Sequence, residues 1–478
     1  MDNLARTDLL AKPEMKDAIA KIRRIVRESL PSAGFAEREQ AVLAMLNEAG
    51  RGVLEEELQS MADELGDELL VNDVAYKVHE PGVVDYYSLS GVLKVQRASY
   101  RPVGVRNGRT VIALEVAAGL VEGATPAFAY NVAHGYAQHD MRLHGEALAA
   151  AHRMPPPRAT LERLAKKIAS VVHEAAPRLE AVVRRTERLP EGAHAVVLGL
   201  DRTSVPMAEE RPADAPPKPE HRRGKPRIRR APKPIDVAFR MAYVATVSIV
   251  DEHGETLCTR RYASAACDDP TPLVGRMSLD VEALLQRQPK LNIGIVQDGA
   301  PEMWSLTRAG LEVLKSKGIL HSWEEGIDRY HLLERLGKAL NILDLAAAEH
   351  TNLLTQWNGD LDTRDSAIDS IEHFLRRRYS ALPVPEQEAL WEHLVYLRNN
   401  KDRMRYVTLA VNGLPIGSGV TESAAKTVVG RRAKNSGQRW SQHGLRGVLA
   451  LRALHQSDRL PSVWSHVLKQ YQAVVKAA

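Results

Sequence analysis

The order of apolar segments between residues 194 and 301 constrains the fold of this chain more than any other feature. Four apolar segments have the composition of strands. The first is HAVVLGLD, which ends at Asp201, and the last is LNIGIVQD, which ends at Asp298. Between them lie two segments that we expect to pair, AFRMAYVATVSIVD and ETLCTRRYAS. The helical pattern PLVGRMSLDVEALLQRQ precedes the last strand, and Pro301 is well placed to open another helix after it. The order strand, strand, strand, helix, strand, helix predicts a mixed α/β sheet with helices packed against it.

Helical and strand patterns alternate on both sides of this segment. Residues 14–66 have apolar side chains at three- and four-residue steps, whereas residues 69–117, including TVIALEV, have the composition of strands. We therefore predict a helical and β-ribbon region at 1–122 and a helical region at 123–190. Residues 329–410 have the patterns of several helices and no clear strand.

A three-proline break divides two helical patterns in EALAAAHRMPPPRATLERLAKKIASVV. Thr160 is a candidate cap for the second helix. The core face of that helix would be formed by Leu161, Leu164, Ile168 and Val171. A helix-turn-helix would bring to a DNA groove the basic residues Arg158, Arg163, Lys166 and Lys167. An ordinary helical hairpin fits the same pattern.

Positive charge is concentrated in two stretches. Arg211 to Pro234 contains nine Lys or Arg and two Asp or Glu, and Ser423 to Ser457 contains seven Lys or Arg and no acid. Each stretch carries +7 although the whole chain carries only +5, so the remainder is net acidic. Such a distribution fits a polyanionic partner bound at defined places, or else a solvated basic surface.

Composition excludes several classes of protein. With 478 residues and 44% apolar residues, the chain is long enough for two or three domains with their own cores and is not a disordered polymer. Two cysteines exclude a disulfide scaffold. The first residues lack the apolar core of a signal peptide, and no run approaches the ~18 apolar residues of a membrane span. We therefore expect a soluble, intracellular protein without a membrane partner.

Three acidic residues stand where a fold could collect them into one site: Asp201, Asp298 and Glu422, the last at the start of a helix after Gly-Ser-Gly. Enzymes that cut phosphodiesters use carboxylates to hold two hard cations about 3.5–4 Å apart. An Asp at a strand end also serves as a cap or turn residue. Other acidic residues in the same region are Asp251, Asp268 and Asp269. The residues alone leave the two-metal site as one hypothesis among several.

The surrounding sequence resembles a known family. LPIGSGVTESAAKTVVGRRAKNSGQRWSQHGLRGVLALRAL resembles the carboxyl-terminal signature of DDE transposases of the ISKra-type insertion-sequence family. That signature has Gly-Ser-Gly, Glu-Ser, a Lys four residues after the Glu, a basic pair and Ser-Gly-x-Arg-Trp-Ser. VVLGLDRTSV and IGIVQDGAPEMW resemble the two aspartate motifs of the family, and WEEGIDRYHLLERLGKAL resembles its Asp-x-x-His element. The resemblance covers roughly residues 195–457.

The resemblance implies an RNase H-like fold of the α/β class, within a chain that is mixed α+β overall. A mixed sheet flanked by helices would occupy residues 191–328, and an all-helical insertion would occupy 329–410. The core would continue in C-terminal helices at 411–478, which carry the third carboxylate. A basic, proline-rich loop is expected at 203–235, because the seven prolines between Arg211 and Pro234 oppose regular structure.

The resemblance also implies the roles of individual residues. Asp201, Asp298 and Glu422 would be the catalytic, metal-binding triad and would hold two Mg²⁺ or Mn²⁺ ions. The reaction would be hydrolysis at transposon ends, followed by in-line attack of the freed 3′-hydroxyl on target DNA. The DNA-binding residues would be Lys426, Arg431, Arg432, Lys434, Arg439 and Trp440. Asp328 and His331 would be accessory residues.

Three of these residues have a second interpretation. Lys426 lies one helical turn after Glu422, so it could touch the scissile strand or pair with that carboxylate. Trp440 could stack on an unpaired base or pack in the core. His331 could orient a phosphate or a catalytic carboxylate, or it could have a purely structural role.

The expected partner is double-stranded DNA, both transposon ends and target. Joining two ends requires a homo-oligomer, at least a dimer on DNA, and the expected location is the bacterial cytoplasm, with nucleoid association when DNA is bound. Two alternatives are an RNase H-like nuclease without strand transfer and a transposase-derived DNA-binding protein that does not cut. The presence of all three carboxylates favours an enzyme, because a purely binding protein does not need them.

Overall fold

The computed structural model describes residues 12–212 and 235–477, which form two compact units. The first unit contains the described residues up to Ala169 together with those from Trp464 onward. The second unit contains the described residues from Ser170 to Val463. No helix in the described part of the chain is long and apolar enough to cross a membrane.

The first unit combines helices with an antiparallel sheet. Its helices are α1 (Pro13–Ser29), α2 (Phe35–Asp63), α3 (Ala113–Ala118), α4 (Pro126–Gln138), α5 (Met141–Ala150) and the first part of α6 (Arg158–Thr186). Its strands are β1 (Glu68–Val71), β2 (Val74–Ser88), β3 (Gly91–Pro102) and β9 (Val475–Ala477), in the sheet order β3-β2-β1-β9. The predicted helical start and β-ribbon are therefore confirmed.

Two details of the first unit differ from the prediction. TVIALEV is not a strand, because Ala113–Ala118 form α3, which buries Leu114 and ends at Gly119 in the left-handed conformation. The last residues of the chain, predicted to extend the C-terminal helices, include β9, which pairs with β1. Both segments are too short for periodicity to distinguish a strand from a helix.

Helices α5 and α6 lie on either side of the three-proline break, as predicted. Three of the predicted core residues of α6 are buried: Leu161, Leu164 and Ile168. Val172 is buried in place of Val171. Thr160 does not cap the helix, because α6 already begins at Arg158.

The second unit is built on a mixed five-stranded sheet. Its strands are β4 (Ala195–Glu210), β5 (Ile235–Val250), β6 (Thr256–Ser264), β7 (Asn292–Gln297) and β8 (Glu324–Ile327). The order is β6-β5-β4-β7-β8; β6, β5 and β4 are antiparallel neighbours, whereas β7 and β8 run parallel to β4. Helices α7 (Thr271–Arg287) and α8 (Pro301–Ser316) connect β6 to β7 and β7 to β8. The predicted mixed α/β class is confirmed, with the short strand β8 as an addition.

The sequence predicts that strand β4 ends at Asp201, but the strand is longer than this. It continues to Glu210 and pairs with β5 along its whole length, so residues 203–210 do not belong to the predicted loop. Val205 and Met207 are buried, and this alternation supports an extended strand beyond the aspartate. Ile235, the last residue of the predicted loop, begins β5, and residues 213–234 lie outside the described residues.

Helices follow the sheet, and the prediction of helices without a strand over 329–410 is confirmed. They are α9 (Arg329–Ile342), α10 (Ala347–Thr363), α11 (Ala367–Tyr379), α12 (Val384–Asn400) and α13 (Tyr406–Val411), with a 3₁₀ turn at Lys401–Arg403. The C-terminal helices are α14 (Gly419–Ala424), α15 (Arg431–Ala433), α16 (Gln442–Gln456) and α17 (Leu460–Lys469). A π-helix, Ala425–Gly430, joins α14 to α15. The predicted interruption at Asn435-Ser436-Gly437 lies between α15 and α16.

Candidate active site

The parallel pairing of β4 with β7 sets the relative positions of the two predicted aspartates. Leu198 lies opposite Ile295 in this pairing. Continuing the register three residues further brings Asp201 level with Asp298, which follows β7 directly. Neighbouring strands lie about 4.8 Å apart, and residues at the same level face the same side of a sheet. This register agrees with the observation that both aspartates line one cavity.

Glu422, the third predicted carboxylate, reaches the same cavity from α14. This cavity has a volume of about 660 Å³, and Asp201, Asp298 and Glu422 all line it. Other residues on its wall are His331, Ser418, Lys426, Arg431 and Lys434. The fold thus collects three acidic residues that are 97 and 124 positions apart in the chain.

The close approach of α14 to the sheet depends on a glycine in β4. A Cβ atom on Gly199 would lie 2.0 Å from Oγ1 of Thr421, the residue just before Glu422. The hydroxyl of Thr421 also shares a 2.7 Å hydrogen bond with that of Thr246 on β5. Because real Cβ atoms essentially never come that close to another atom, a side chain at position 199 would push α14, and Glu422 with it, away from Asp201.

A buried aspartate fixes the start of α14. Asp328, which is 2% exposed, caps α9 by accepting the backbone N–H of His331 at 2.9 Å. The same carboxylate accepts the backbone N–H and, at 2.8 Å, the hydroxyl of Ser418. The Ser418 hydroxyl lies 3.4 Å from Oε1 of Glu422, and Nε2 of His331 lies 3.4 Å from the same oxygen. Asp328 is therefore a positioning residue, whereas His331 contacts a member of the triad.

The electrostatics of the cavity reflect its three carboxylates. Burial raises the pKa of Asp201, while the backbone N–H of Arg202, which donates to Oδ1 at 2.7 Å, acts to lower it. The negative charges of Asp298 and Glu422 raise the pKa further. A carboxylate whose pKa is raised by neighbouring negative charges is stabilised when a cation is placed beside it.

Exposed cations stand on the wall of the cavity. Nζ of Lys426 lies 3.9 Å from Oε2 of Glu422, so the lysine pairs with the carboxylate in this arrangement. Arg431 and Lys434 are exposed, and Lys434 donates a hydrogen bond to the Thr203 hydroxyl on β4. These positions give a phosphodiester in the cavity several positive partners.

Arg432, one of the predicted DNA-binding residues, is buried and packs against Trp440. Arg432 is 4% exposed, and its guanidinium carbon lies 4.9 Å from the centre of the Trp440 ring. Trp440 donates from Nε1 to the carbonyl of Ala433 at 3.2 Å and from its backbone N–H to the carbonyl of Pro206 at 3.0 Å. A guanidinium buried in this way does not reach a phosphate, so the prediction that Arg432 contacts DNA is corrected. Arg439 remains exposed.

The helix turn after Glu422 is widened into the π-helix Ala425–Gly430. Arg452 on α16 is buried and donates to the carbonyls of Val428, at 2.6 Å, and Thr427. Burial lowers the pKa of Arg452 to about 10. Single π turns inside α-helices frequently occur at functional sites. Here Arg452 adds side-chain hydrogen bonds to two carbonyls of the irregular turn.

The donor atoms of the cavity suit hard divalent cations. Carboxylate oxygens are the ligands that Mg²⁺ and Mn²⁺ prefer. Within residues 12–212 and 235–477, no group of three or more His, Cys, Asp or Glu side chains is arranged to hold a metal ion. Glu422 contacts His331 and Lys426 instead, so a cation bound by all three carboxylates would replace these contacts.

Sequence reasoning did not single out several positioning residues, namely Gly199, Ser418, Thr421 and Arg452. A glycine inside an apolar strand often marks a close backbone approach, so Gly199 did carry a usable signal. Ser418 had one too, since serine is a preferred helix-capping residue. Arg452 had none, because nothing in the sequence connects it to carbonyls on a neighbouring helix.

No family model matches the chain, and no curated protein matches it significantly. The functional assignment therefore rests on the residues of the cavity and on their geometry.

Proposed function

We propose that this chain is the DDE transposase of an insertion sequence, which cleaves DNA at transposon ends and transfers the cut strand into target DNA. The observation that carries the proposal is the single cavity shared by Asp201, Asp298 and Glu422, with Arg431 and Lys434 on its wall. Acidic residues from three distant segments, surrounded by cations, suit a reaction on a phosphodiester.

The architecture of the second unit supports the proposal. Its three antiparallel strands, followed by a helix, a strand and a further helix, have the order that an RNase H-like fold implies. Helices alone occupy the stretch between the segments that carry the second and third carboxylates once β8 has ended. An RNase H-like core with a helical insertion is the interpretation that we adopt for this unit.

Each part of the cavity has a defined role in the proposed reaction. Asp201, Asp298 and Glu422 would hold two Mg²⁺ or Mn²⁺ ions, whose chemistry is to activate the attacking oxygen and to stabilise the leaving oxygen. His331 contacts the Glu422 carboxylate and restricts its orientation. Arg431 is exposed on the wall and offers positive charge to the scissile strand.

The proposal extends to partners and location. Double-stranded DNA, as transposon end and as target, is the partner that the basic residues near the carboxylates favour. Joining two ends in one reaction needs at least two subunits on the DNA. We place the protein in the bacterial cytoplasm, associated with the nucleoid when it binds DNA.

The decisive experiment removes one carboxylate. Asp298→Asn is expected to lower cleavage of a duplex carrying the inverted repeat that flanks the gene by at least about 100-fold, because a metal ligand is lost. DNA affinity, measured by fluorescence anisotropy, should stay within about twofold, because phosphate contacts are retained. Asp85→Asn, at an exposed position of β2, is the matched control and should cut normally.

A second measurement separates the alternatives. Wild-type protein supplied with pre-cleaved ends should join them to target DNA in the presence of Mg²⁺ or Mn²⁺. Cleavage without joining would identify a nuclease, and DNA binding without either reaction would identify a binding protein. Normal cleavage by Asp298→Asn would refute the assignment of the site.

A further inference from the structure

The outer parts of β4 and β5 extend beyond the rest of their sheet. Residues 203–210 pair with residues 235–242, whereas the pairing of β6 with β5 starts at Tyr243 and that of β7 with β4 stops at Leu198. We call this two-stranded extension, residues 203–210 with 235–242, the ribbon. Its β4 edge is held by Trp440, whose carbonyl accepts the N–H of Ala208 at 2.8 Å.

One strand of the ribbon exposes apolar side chains at alternate positions. Val237, Phe239 and Met241 are all exposed, and Phe239 is exposed to 70%. Alternate residues of a strand share one face, and in most sheets an apolar face covers a core. A row of exposed apolar residues of this kind is typical of a surface that binds a ligand or another macromolecule.

A cavity of about 500 Å³ lies between the ribbon and the loop that precedes Trp440. Val237 and Phe239 form its apolar side, and Lys434 and Arg439 line it as well. Ser204 and Gln438 add neutral polar groups, and none of the described residues that line the cavity is acidic. The carboxylate of Glu209, an acidic residue of the ribbon, forms a bidentate ion pair with the guanidinium of Arg240.

This second cavity adjoins the active-site cavity, because Lys434 lines both. Lys434 also donates to the hydroxyl of Thr203, the residue at which the ribbon begins. A DNA strand that passes from the carboxylates past Lys434 would therefore enter the cavity that Phe239 lines. Cations without acids suit a phosphate, an exposed aromatic ring suits the face of a base, and hydroxyl and amide groups suit base edges.

We propose that the cavity between the ribbon and residues 434–439 binds an unpaired nucleotide of the DNA strand next to the scissile position. The base packs against Phe239, and its phosphate contacts Lys434 and Arg439. The inference rests on the proposed function, since it identifies which form of DNA the site holds. Bases inside a duplex have no free face for such packing, so the cavity selects DNA that is single-stranded at this point.

The test compares two DNA probes and three phenylalanine variants. One probe is a blunt duplex, and the other is the same duplex with a short single-stranded extension that starts with 2-aminopurine. Wild-type protein should bind the extended duplex more tightly and change the 2-aminopurine fluorescence. Phe239→Ala should lose at least about fivefold of this preference, because stacking on an aromatic ring is worth ~1–3 kcal/mol per base.

Phe35→Ala is the matched control, because Phe35 is also highly exposed, at 83%, and lies on α2. It should keep the full preference for the extended probe, as should Phe239→Trp, which retains an aromatic face. Circular dichroism and gel filtration should show no change in fold or oligomeric state for any of the variants. An altered oligomeric state in Phe239→Ala would overturn the proposal and make the ribbon a contact between subunits.

The outcomes separate this inference from the proposed function. Unchanged preference in Phe239→Ala would refute the nucleotide site even if Asp298→Asn abolishes cleavage. Loss of preference in Phe239→Ala together with normal cleavage by Asp298→Asn would support the nucleotide site and refute the assignment of the triad.

Discussion

The two halves of β4 belong to one strand but have different surroundings. The inner half, up to Leu200, is buried at every residue, as expected for a strand covered on both faces. In the outer half, beyond Arg202, buried and partly exposed residues alternate, and the neighbouring strand presents exposed apolar side chains. Asp201 lies where one environment changes to the other.

The inner half of β4 is suited to positioning a carboxylate, and the outer half is suited to binding a ligand. The inner half has little freedom to move, so it can hold a carboxylate at a fixed distance from a neighbouring strand and from α14. The outer half has few partners and leaves its surroundings open to a ligand. Substitutions in the inner half, or in residues that hold α14 against it, should therefore change the rate of cleavage. Substitutions near the outer half should change DNA affinity.

The largest effect is expected at Gly199 in the inner half. Gly199→Val would drive a side chain into Thr421 and displace Glu422 from Asp201. A displacement of about 1 Å at a reacting centre can cost a factor of ~100, so cleavage should fall at least that far. DNA affinity should change by less than about twofold. Cleavage rate and anisotropy, measured on the same preparation, check both expectations.

A matched control is Gly82→Val in β2, where a Cβ atom would meet nothing within 4 Å. It should fold and cut normally. Adding Thr421→Ala to Gly199→Ala should restore part of the cleavage, since it removes the hydroxyl oxygen that would lie 2.0 Å from the added Cβ atom. No rescue, or full activity in Gly199→Val, would show that the inner half does not set the position of Glu422.

A smaller effect is expected at Asp328, which holds the start of α14 through Ser418. Asp328→Ala leaves the donors of Ser418 and His331 without their acceptor and should cost about 1–3 kcal/mol in the free energy of unfolding. Cleavage should fall about 10- to 100-fold, because Glu422 loses its support. Urea denaturation and single-turnover cleavage measure the two quantities.

Asp365 is the control for Asp328. Its carboxylate accepts a similar set of hydrogen bonds, but these bonds do not involve a residue next to the three acidic residues of the cavity. Its carboxylate accepts the backbone N–H groups of Val407 and Thr408, at 3.0 and 3.3 Å, as well as the Thr408 hydroxyl. Asp365→Ala should lose a similar amount of stability and keep its cleavage rate under native conditions. Equal losses of cleavage in both variants would mean that stability alone explains the effect of Asp328.

The smallest effect concerns two adjacent arginines. Arg431 is exposed on the cavity wall, whereas Arg432 is buried against Trp440. Arg431→Gln should reduce the slope of log affinity against log salt by about 0.9, which corresponds to one lost phosphate contact. Arg432→Gln should lower the melting temperature and leave the slope unchanged. The reverse result would show that the pair exchanges roles when DNA binds.

Local sequence patterns predicted much of the fold, and the family resemblance singled out Asp201, Asp298 and Glu422 among the acidic residues. The strands that carry Asp201 and Asp298 are apolar runs, and the helix with Glu422 follows a recognisable Gly-Ser-Gly segment. The register that brings Asp201 level with Asp298 was not predictable, because it depends on the parallel pairing of distant strands. Only the fold showed that these residues line one cavity.

The errors have physical reasons as well. The sequence predicts that β4 ends at Asp201 because the apolar run stops there, but backbone pairing with β5 continues as far as Glu210. The family resemblance implies that Arg432 contacts DNA, but tertiary packing buries its side chain against Trp440. Patterns of polarity report which residues prefer water, and tertiary packing decides which of them reach it.

The pairing of β9 with β1 has a consequence for biosynthesis. Residues 12–169 are made before the second unit, whereas residues 475–477, which pair with β1 of their sheet, are made after it. The second unit can complete its own sheet earlier, since all its strands lie between those two segments. A nascent chain therefore carries an open strand edge at β1 until residues 475–477 have been made, and a chaperone or a neighbouring nascent chain can pair with this edge.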